Sequence, residues 1–147
     1  MEKAPAPKPV TARWLMNAAQ FYLARYSASE AGLTAVLRRK ATKRAGVPPD
    51  AEALALIAET VATLRGAGLV DDSAFAAARA RTLQRKGLSE GSARQKLAAK
   101  GVDREVADAA ITEAGFDETA QLLAAARRLR TAAFSDPGAE LSEKDKA

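Results

Sequence analysis

Helix start signals and glycines alternate along the chain and divide it into seven short segments. Ser, Thr or Asp precedes an apolar stripe with helical spacing, and a glycine follows most stripes. These polar residues cap helix N-termini, and glycine is favoured just beyond helix C-termini. Ala supplies 37 of the 147 residues and Val with Ile only nine, which favours helix over sheet. The sequence therefore predicts an all-α protein of several small helical units.

Three aromatic residues near the N-terminus are predicted to fill the first core. A helix is expected from about Thr11 to Tyr26, and Trp14, Phe21 and Tyr22 occur on it at the spacing of a buried face. An alanine-rich chain has few other large side chains for a core. We therefore interpret them as core residues rather than as a platform on which nucleic-acid bases stack.

The later segments of the chain also carry helix caps and apolar stripes. Ser27 to Glu30 has the pattern of a capping box at the start of the second helix. The third helix has an apolar stripe that begins at Leu54, and Asp103 is predicted to cap the sixth. The seventh helix is predicted to carry the apolar residues Leu122, Leu123, Ala126 and Leu129.

The pattern of segments repeats. Ser29-Glu30 matches Ser89-Glu90 at an offset of 60 residues, and residues 68–73 match 115–119 with one residue deleted. A third such pair, Ser142-Glu143, lies where the second helix of a third unit would begin. We expect a flexible tail at 1–10, three-helix repeats at 11–70 and 71–115, and a partial repeat with a frayed C-terminus at 116–147. On this view the chain is either cut within a third repeat or has a vestigial one.

Charge alternates with the same period. Residues 12–48 hold seven basic residues and one acidic residue, and residues 73–102 hold the same numbers. Residues 49–72 hold one basic and five acidic residues, and residues 103–118 hold one and six. Solvation and helix dipoles account for part of this pattern, but like charges on one helix repel each other, so the imbalance favours an anionic partner. Candidate contacts chosen by charge alone are Arg38, Arg39, Lys40, Lys43, Arg44, Arg81, Arg85, Lys86, Arg94, Lys96 and Lys100.

Composition argues against several other classes of protein. The chain has no His and no Cys, which excludes Ser-His catalysis, thiolate metal sites and disulfides. Asp71 and Asp72 stand at a helix start, where capping explains them, and no glycine-rich phosphate loop is present. We therefore expect no enzyme, no cofactor and no metal. The absence of a long apolar stretch or a secretory signal, together with the lack of Cys, predicts a cytoplasmic protein with no membrane span.

Several runs of residues together resemble the RecX family of bacterial recombination regulators. They are Gly68 to Phe75, Arg85 to Ser89, Ala93 to Leu97 and Lys100 to Val102, with Ser29-Glu30, Leu33, Leu37 and Arg38 to Lys40 before them. The resemblance covers about residues 12–134. It implies tandem three-helix repeats in an elongated, curved molecule, typically three repeats, with no catalytic residues.

The resemblance also implies a function. Such a regulator binds the RecA recombinase, lies in the groove of the RecA–DNA filament, and inhibits its recombinase and coprotease activities. It would thereby act in DNA repair, homologous recombination and the SOS response. We expect a monomer. Weak direct contact with DNA is left open.

Two other functions fit the residues. The first is a stand-alone basic helical module that binds DNA, which would do so without any recombinase. The second is a helical adaptor for some acidic protein, which would not retain the recombinase at all. An enzyme would have to rely on carboxylates, and the visible ones stand at helix caps.

Overall fold

The computed structural model describes residues 6–135, and all regular secondary structure within that range is α-helical. This confirms the predicted fold class. The seven helices are α1 Ala12–Leu23, α2 Glu30–Ala45, α3 Ala51–Gly66, α4 Asp72–Arg85, α5 Glu90–Ala99, α6 Arg104–Ala114 and α7 Glu118–Ser135.

Side-chain caps start most of these helices. The oxygens of Thr11, Ser29, Asp50, Asp71 and Ser89 each accept a hydrogen bond from a backbone N–H in the first turn that follows. These bonds satisfy donors that have no partner inside the helix. At the other end of α2, Gly46 takes the left-handed conformation with φ 73°, which lets the chain leave the helix without a Cβ penalty.

Three local predictions are wrong. The second helix has no capping box from Ser27 to Glu30, because Ser29 is the cap and the Glu30 carboxylate pairs with Arg65. Asp103 stands at the N-cap of α6, but its side chain makes no capping hydrogen bond. The first helix ends at Leu23 rather than near Tyr26, since the chain closes into turns there.

The helices pack as two groups of three, each around its own core. The substantial contacts join α1, α2 and α3 with one another, and α4, α5 and α6 with one another. We call these groups the first unit and the second unit. Large side chains of the first core include Leu15, Leu33, Leu37, Ile57 and Leu64. The second core is lined by smaller residues such as Ala76, Ala80 and Ala93, with Leu83, Leu97 and Ile111.

The predicted core position of Phe21 is wrong, and several other large apolar residues of the predicted helices are exposed or half-buried. Phe21 is 61% exposed, because Leu15 and Ala19 define the buried face of α1 and Phe21 points away from it. Trp14 and Tyr22 are half-buried and pack against the first core. Leu54 is exposed at the start of α3. The three leucines of α7 are also exposed, and within the described part of the chain α7 has no extensive contact with another helix.

One hydrogen bond attaches α7 to the second unit. Arg128 of α7 donates it to the Gly87 carbonyl oxygen at 3.1 Å. The Ser142-Glu143 pair lies outside the described residues. Across residues 6–135, no helix is both long enough and apolar enough to cross a membrane.

Candidate partner-binding site

Ser29 joins the two units at the start of α2. Its hydroxyl oxygen accepts a hydrogen bond from the Gly32 N–H at 3.0 Å, and the hydroxyl donates to the Lys100 carbonyl oxygen at 2.6 Å. One buried side chain therefore caps α2 and satisfies a carbonyl at the end of α5. A second bond runs beside it, in which the Glu30 N–H donates to Asp72 Oδ1 at 2.8 Å.

Helix dipoles and a glycine support the same junction. The C-terminus of α5 meets the N-terminus of α2, so partial charges of opposite sign face each other. Gly101 follows α5 with φ 78°, and a Cβ there would overlap the Ala31 Cβ. Only glycine permits both this backbone conformation and this close approach of the two units.

A cleft of about 440 Å³ lies beside the junction. Both units contribute cations to it, with Arg39 from α2, Arg79 from α4 and Lys100 from the end of α5. Tyr22 and Phe75 also line it, and none of its lining residues is an Asp or a Glu. We call it the junction cleft.

Arg79 is one of the cations that line this cleft. Its Nε is buried and has no hydrogen-bond partner. A guanidinium among other cations, with no carboxylate beside it, favours a carboxylate or a phosphate. The side chains that line the junction cleft are thus of the type that binds anions.

The structure divides the basic residues predicted from charge into three sets. Arg39 and Lys100 line the junction cleft. Lys40, Lys43 and Arg44 line a second depression, which lies between α1 and α2 and which we call the α1–α2 groove. Arg39 and Lys43 are one turn apart on α2, so the two sites are neighbours on that helix.

The third set lines neither site. Arg94 Nε is 2.8 Å from Asp108 Oδ1, an ion pair that offsets its charge. Arg85 Nη2 donates to Thr82 Oγ1 at 3.4 Å. The others are exposed: Arg38, Arg81, Lys86 and Lys96.

Arg79 is not among the candidate contacts chosen from the sequence by charge. It follows Phe75 by one helical turn, so both belong to a half-buried face of α4. A single cation at such a position, with no acidic residue a turn away, was the available signal. What could not be read from the sequence is that α2 and α5 place Arg39 and Lys100 opposite it.

The described residues contain no group of three or more His, Cys, Asp or Glu side chains that could hold a metal ion. The structure thus offers no preformed metal centre between residues 6 and 135. What it presents there is a surface with basic depressions at the junction and on the first unit.

Comparisons with known proteins give the family. The model of the RecX second three-helix domain matches residues 71–111, which cover most of the second unit. The chain is 34% identical to the regulatory protein RecX of Myxococcus xanthus over 129 residues, which are 84% of this chain and 69% of that protein. It is 35% identical to the regulatory protein RecX of Agrobacterium fabrum over 121 residues, 82% of this chain and 63% of that protein.

The chain thus spans about two thirds of the length of these relatives. No solved structure matches it significantly. Identity above 30% over most of both chains, the match of the second unit and the all-helical fold lead to one conclusion. This chain belongs to the RecX family of regulatory proteins.

Proposed function

We propose that this chain is a non-enzymatic regulator that binds the RecA recombinase and inhibits its recombinase and coprotease activities. Membership of the RecX family carries the proposal. In it, the chain acts as a monomer in the cytoplasm and lies in the groove of the RecA–DNA filament. Binding there would keep homologous duplex out of the filament and hinder its growth.

The arrangement of the two units supports binding along a repeating filament. Each unit has its own core, and the junction at Ser29 and Gly101 links the two cores. Two linked units can contact neighbouring protomers at once, so that weak contacts gain from a high effective concentration. The affinity for a filament should therefore exceed that for a single recombinase molecule.

The distribution of charge supports the same proposal. The junction cleft presents Arg39, Arg79 and Lys100 to an anionic group, which a filament offers as DNA phosphate or as a carboxylate. The acidic helices α3 and α6 would then face basic protein surface. In this arrangement the junction cleft anchors the regulator.

The test is inhibition of RecA's DNA-dependent ATP hydrolysis and of strand exchange. We expect inhibition well below one chain per recombinase protomer. The double variant Arg39→Ala with Arg79→Ala should need roughly tenfold more protein for the same effect, because two contacts to one anion are lost. The matched control is Arg104→Ala, which removes an exposed cation of the acidic helix α6 and should leave inhibition unchanged.

Two results would count against the proposal. If neither this chain nor a longer relative inhibits RecA, the regulator assignment fails for this chain. If the chain binds free RecA as tightly as it binds DNA-bound filaments, the groove-spanning arrangement fails.

A further inference from the structure

Helix α7 presents a row of apolar side chains to solvent. Its members are all exposed and follow one another at four, three and four residues: Leu122, Ala126, Leu129 and Ala133. Leu122 is 69% exposed and Leu129 is 72% exposed. This spacing places the four side chains on one side of the helix. We call this side the α7 face.

The attachment of α7 leaves this face open. Arg128, which donates the hydrogen bond to the Gly87 carbonyl oxygen, is about 160° from Ala126 around the helix axis. The helix is therefore held by the opposite side. On α4 the residues at the same spacing belong to the second core, and they are Ala76, Ala80 and Leu83. Helix α7 thus carries side chains of a core type without a core around them, and such a patch marks a contact site.

Helix α3 has an exposed apolar face with the same spacing. Its members again follow one another at four, three and four residues: Ala51, Ala55, Ala58 and Ala62. Leu54 lies beside this row and is 37% exposed. On α6, the third helix of the other unit, the exposed residues are mostly polar, namely Arg104, Glu105, Thr112 and Glu113. An apolar exterior is therefore not a requirement of a third helix in this fold, and we call this one the α3 face.

The edges of the two faces carry opposite charges. Glu52 and Glu59 flank the α3 face seven residues apart, and Arg130 flanks the α7 face at the equivalent position of its own row. None of the ion pairs found among residues 6–135 involves these three side chains. The α3 face accordingly suits a helix with a cation at its edge, and α7 of another copy is such a helix.

We propose that the α7 face of one chain packs against the α3 face of a second copy, with the two helices antiparallel. In this alignment Ala126 lies opposite Ala58, and each leucine of the α7 face lies opposite an alanine of the α3 face. The corresponding edges of two antiparallel helices adjoin each other, so Arg130 comes to the edge that carries Glu52 and Glu59.

The contact is head to tail. Each copy offers α7 to one neighbour and α3 to another, and heterologous contacts of this kind build open rows or rings. Because only one helix of each chain takes part, we expect the contact to bury less than the roughly 1,200 Å² at which stable interfaces begin. The free chain is then a monomer at ordinary concentrations, and the contact forms where copies are held end to end along a filament. That consequence rests on the proposed function, whereas the contact itself does not.

Disulfide trapping tests the contact, because the chain has no cysteine of its own. In the variant Ala58→Cys with Ala126→Cys, the two thiols of neighbouring copies come within reach of a disulfide. Oxidation at high protein concentration, without recombinase, should give a ladder of covalent dimers, trimers and longer rows on a non-reducing gel. The matched control is Ala109→Cys with Ala126→Cys, which moves one thiol to the exposed side of α6. Its yield should be lower by about fivefold or more, since those thiols do not meet.

An exchange of charges tests the alignment. Added to the double-cysteine variant, Arg130→Glu should lower the yield of the ladder by about threefold or more, because like charges then meet at the shared edge. The further changes Glu52→Lys and Glu59→Lys should restore the yield. Arg104→Glu alters an exposed cation of α6 and should leave the ladder unchanged. Far-UV circular dichroism checks that each variant folds.

Inhibition of RecA is measured in parallel with the cysteine-free variant Leu122→Ala with Leu129→Ala. The parent should inhibit with a sigmoidal dose response, because neighbouring copies support each other on the filament, and the variant should lose the sigmoidal shape. A chain that forms the ladder but does not inhibit RecA would refute the proposed function alone. A chain that inhibits RecA but forms no ladder would refute this contact alone.

Three further outcomes would overturn the proposal. Covalent dimers without longer species would indicate a symmetric pairing of two α7 helices. A disulfide that closes within one chain would assign the α7 face to α3 of the same molecule. A ladder that Arg130→Glu leaves at full yield would show that the two helices have no defined alignment.

Discussion

Ser29 and Ser89 occupy equivalent positions in the two units but make different contacts. Both cap their own helices, and each is followed by a glutamate. Ser29 is 1% exposed and also donates to the Lys100 carbonyl oxygen of the other unit, whereas the exposed Ser89 donates to Ser92 Oγ. A serine in the same motif is thus a local cap in one unit and part of a tertiary contact in the other.

Replacing these serines should separate the two roles. Ser89→Ala should cost about 1 kcal/mol, the usual value of a cap. Ser29→Ala should cost about 2 kcal/mol or more, because the Lys100 carbonyl also loses its donor in a buried place. Urea denaturation measures both free energies of unfolding. Equal losses in the two variants would show that the bond to Lys100 contributes nothing.

Gly101 and Gly68 provide a second matched pair at the residue scale. Both have positive φ, 78° and 75°, so Ala costs about 1–2 kcal/mol at either position. A Cβ on Gly68 meets nothing, whereas one on Gly101 overlaps Ala31. Gly101→Ala should therefore lower the free energy of unfolding by about 1–3 kcal/mol more than Gly68→Ala does. Thermal melting of the two variants checks this, and identical melting temperatures would refute the close approach.

At the scale of elements, α4 carries Arg79. This residue should add little to the stability of the free protein but should contribute to binding in the complex. Arg79 lies on the half-buried face of α4, and its Nε has no partner. Because this Nε makes no hydrogen bond to another protein group, the guanidinium should contribute little to the stability of the free chain. The Arg79 guanidinium should instead contribute to the binding of an anion in the junction cleft.

Arg79→Met tests this separation of stability from function. Met keeps the length of the apolar stem and removes the unpaired donor, so the urea midpoint should stay the same or rise. Inhibition of RecA should weaken by about fivefold or more, because the cleft loses its guanidinium. A variant that is less stable and yet inhibits as well as the parent would contradict the assignment. Arg104→Met serves as the control and should change neither the urea midpoint nor the inhibition of RecA.

At the scale of the whole molecule, one junction links the two cores. Trp14 reports on the first core alone, while far-UV circular dichroism reports on all helices. In the parent chain the two probes should give the same unfolding midpoint, because the junction couples the units. If the units were independent, the probes would disagree already in the parent.

The double variant Ser29→Ala with Asp72→Ala removes both hydrogen bonds of the junction. We expect the Trp14 midpoint and the circular dichroism midpoint in urea to separate, since each core then unfolds by itself. The control is Asp50→Ala with Ser89→Ala, which removes one cap from each unit and spares the junction. In that control, the Trp14 midpoint and the circular dichroism midpoint should fall together by the same amount. Coincident midpoints in the junction variant would contradict the coupling.

The positions of the helices follow from the sequence because caps and glycine stops act within one turn. Asp71 and Ser89 cap helices as their residue types predict, and Gly46 and Gly115 end helices in the left-handed conformation. The all-helical class follows from the scarcity of β-branched residues in an alanine-rich chain. The family could be inferred for the same reason, since its motifs are short and contiguous.

Contacts between elements depend on how each helix is rotated and on how the two units dock, and no local signal specifies either. Phe21 is at the spacing of a buried face, yet Leu15 and Ala19 take the core and leave it exposed. Arg39 and Arg79 are 40 positions apart in the sequence, and only the docking of α2 onto the second unit brings them to one cleft. The amino-acid order thus specifies the helices, whereas packing between them assembles the junction cleft and the α1–α2 groove.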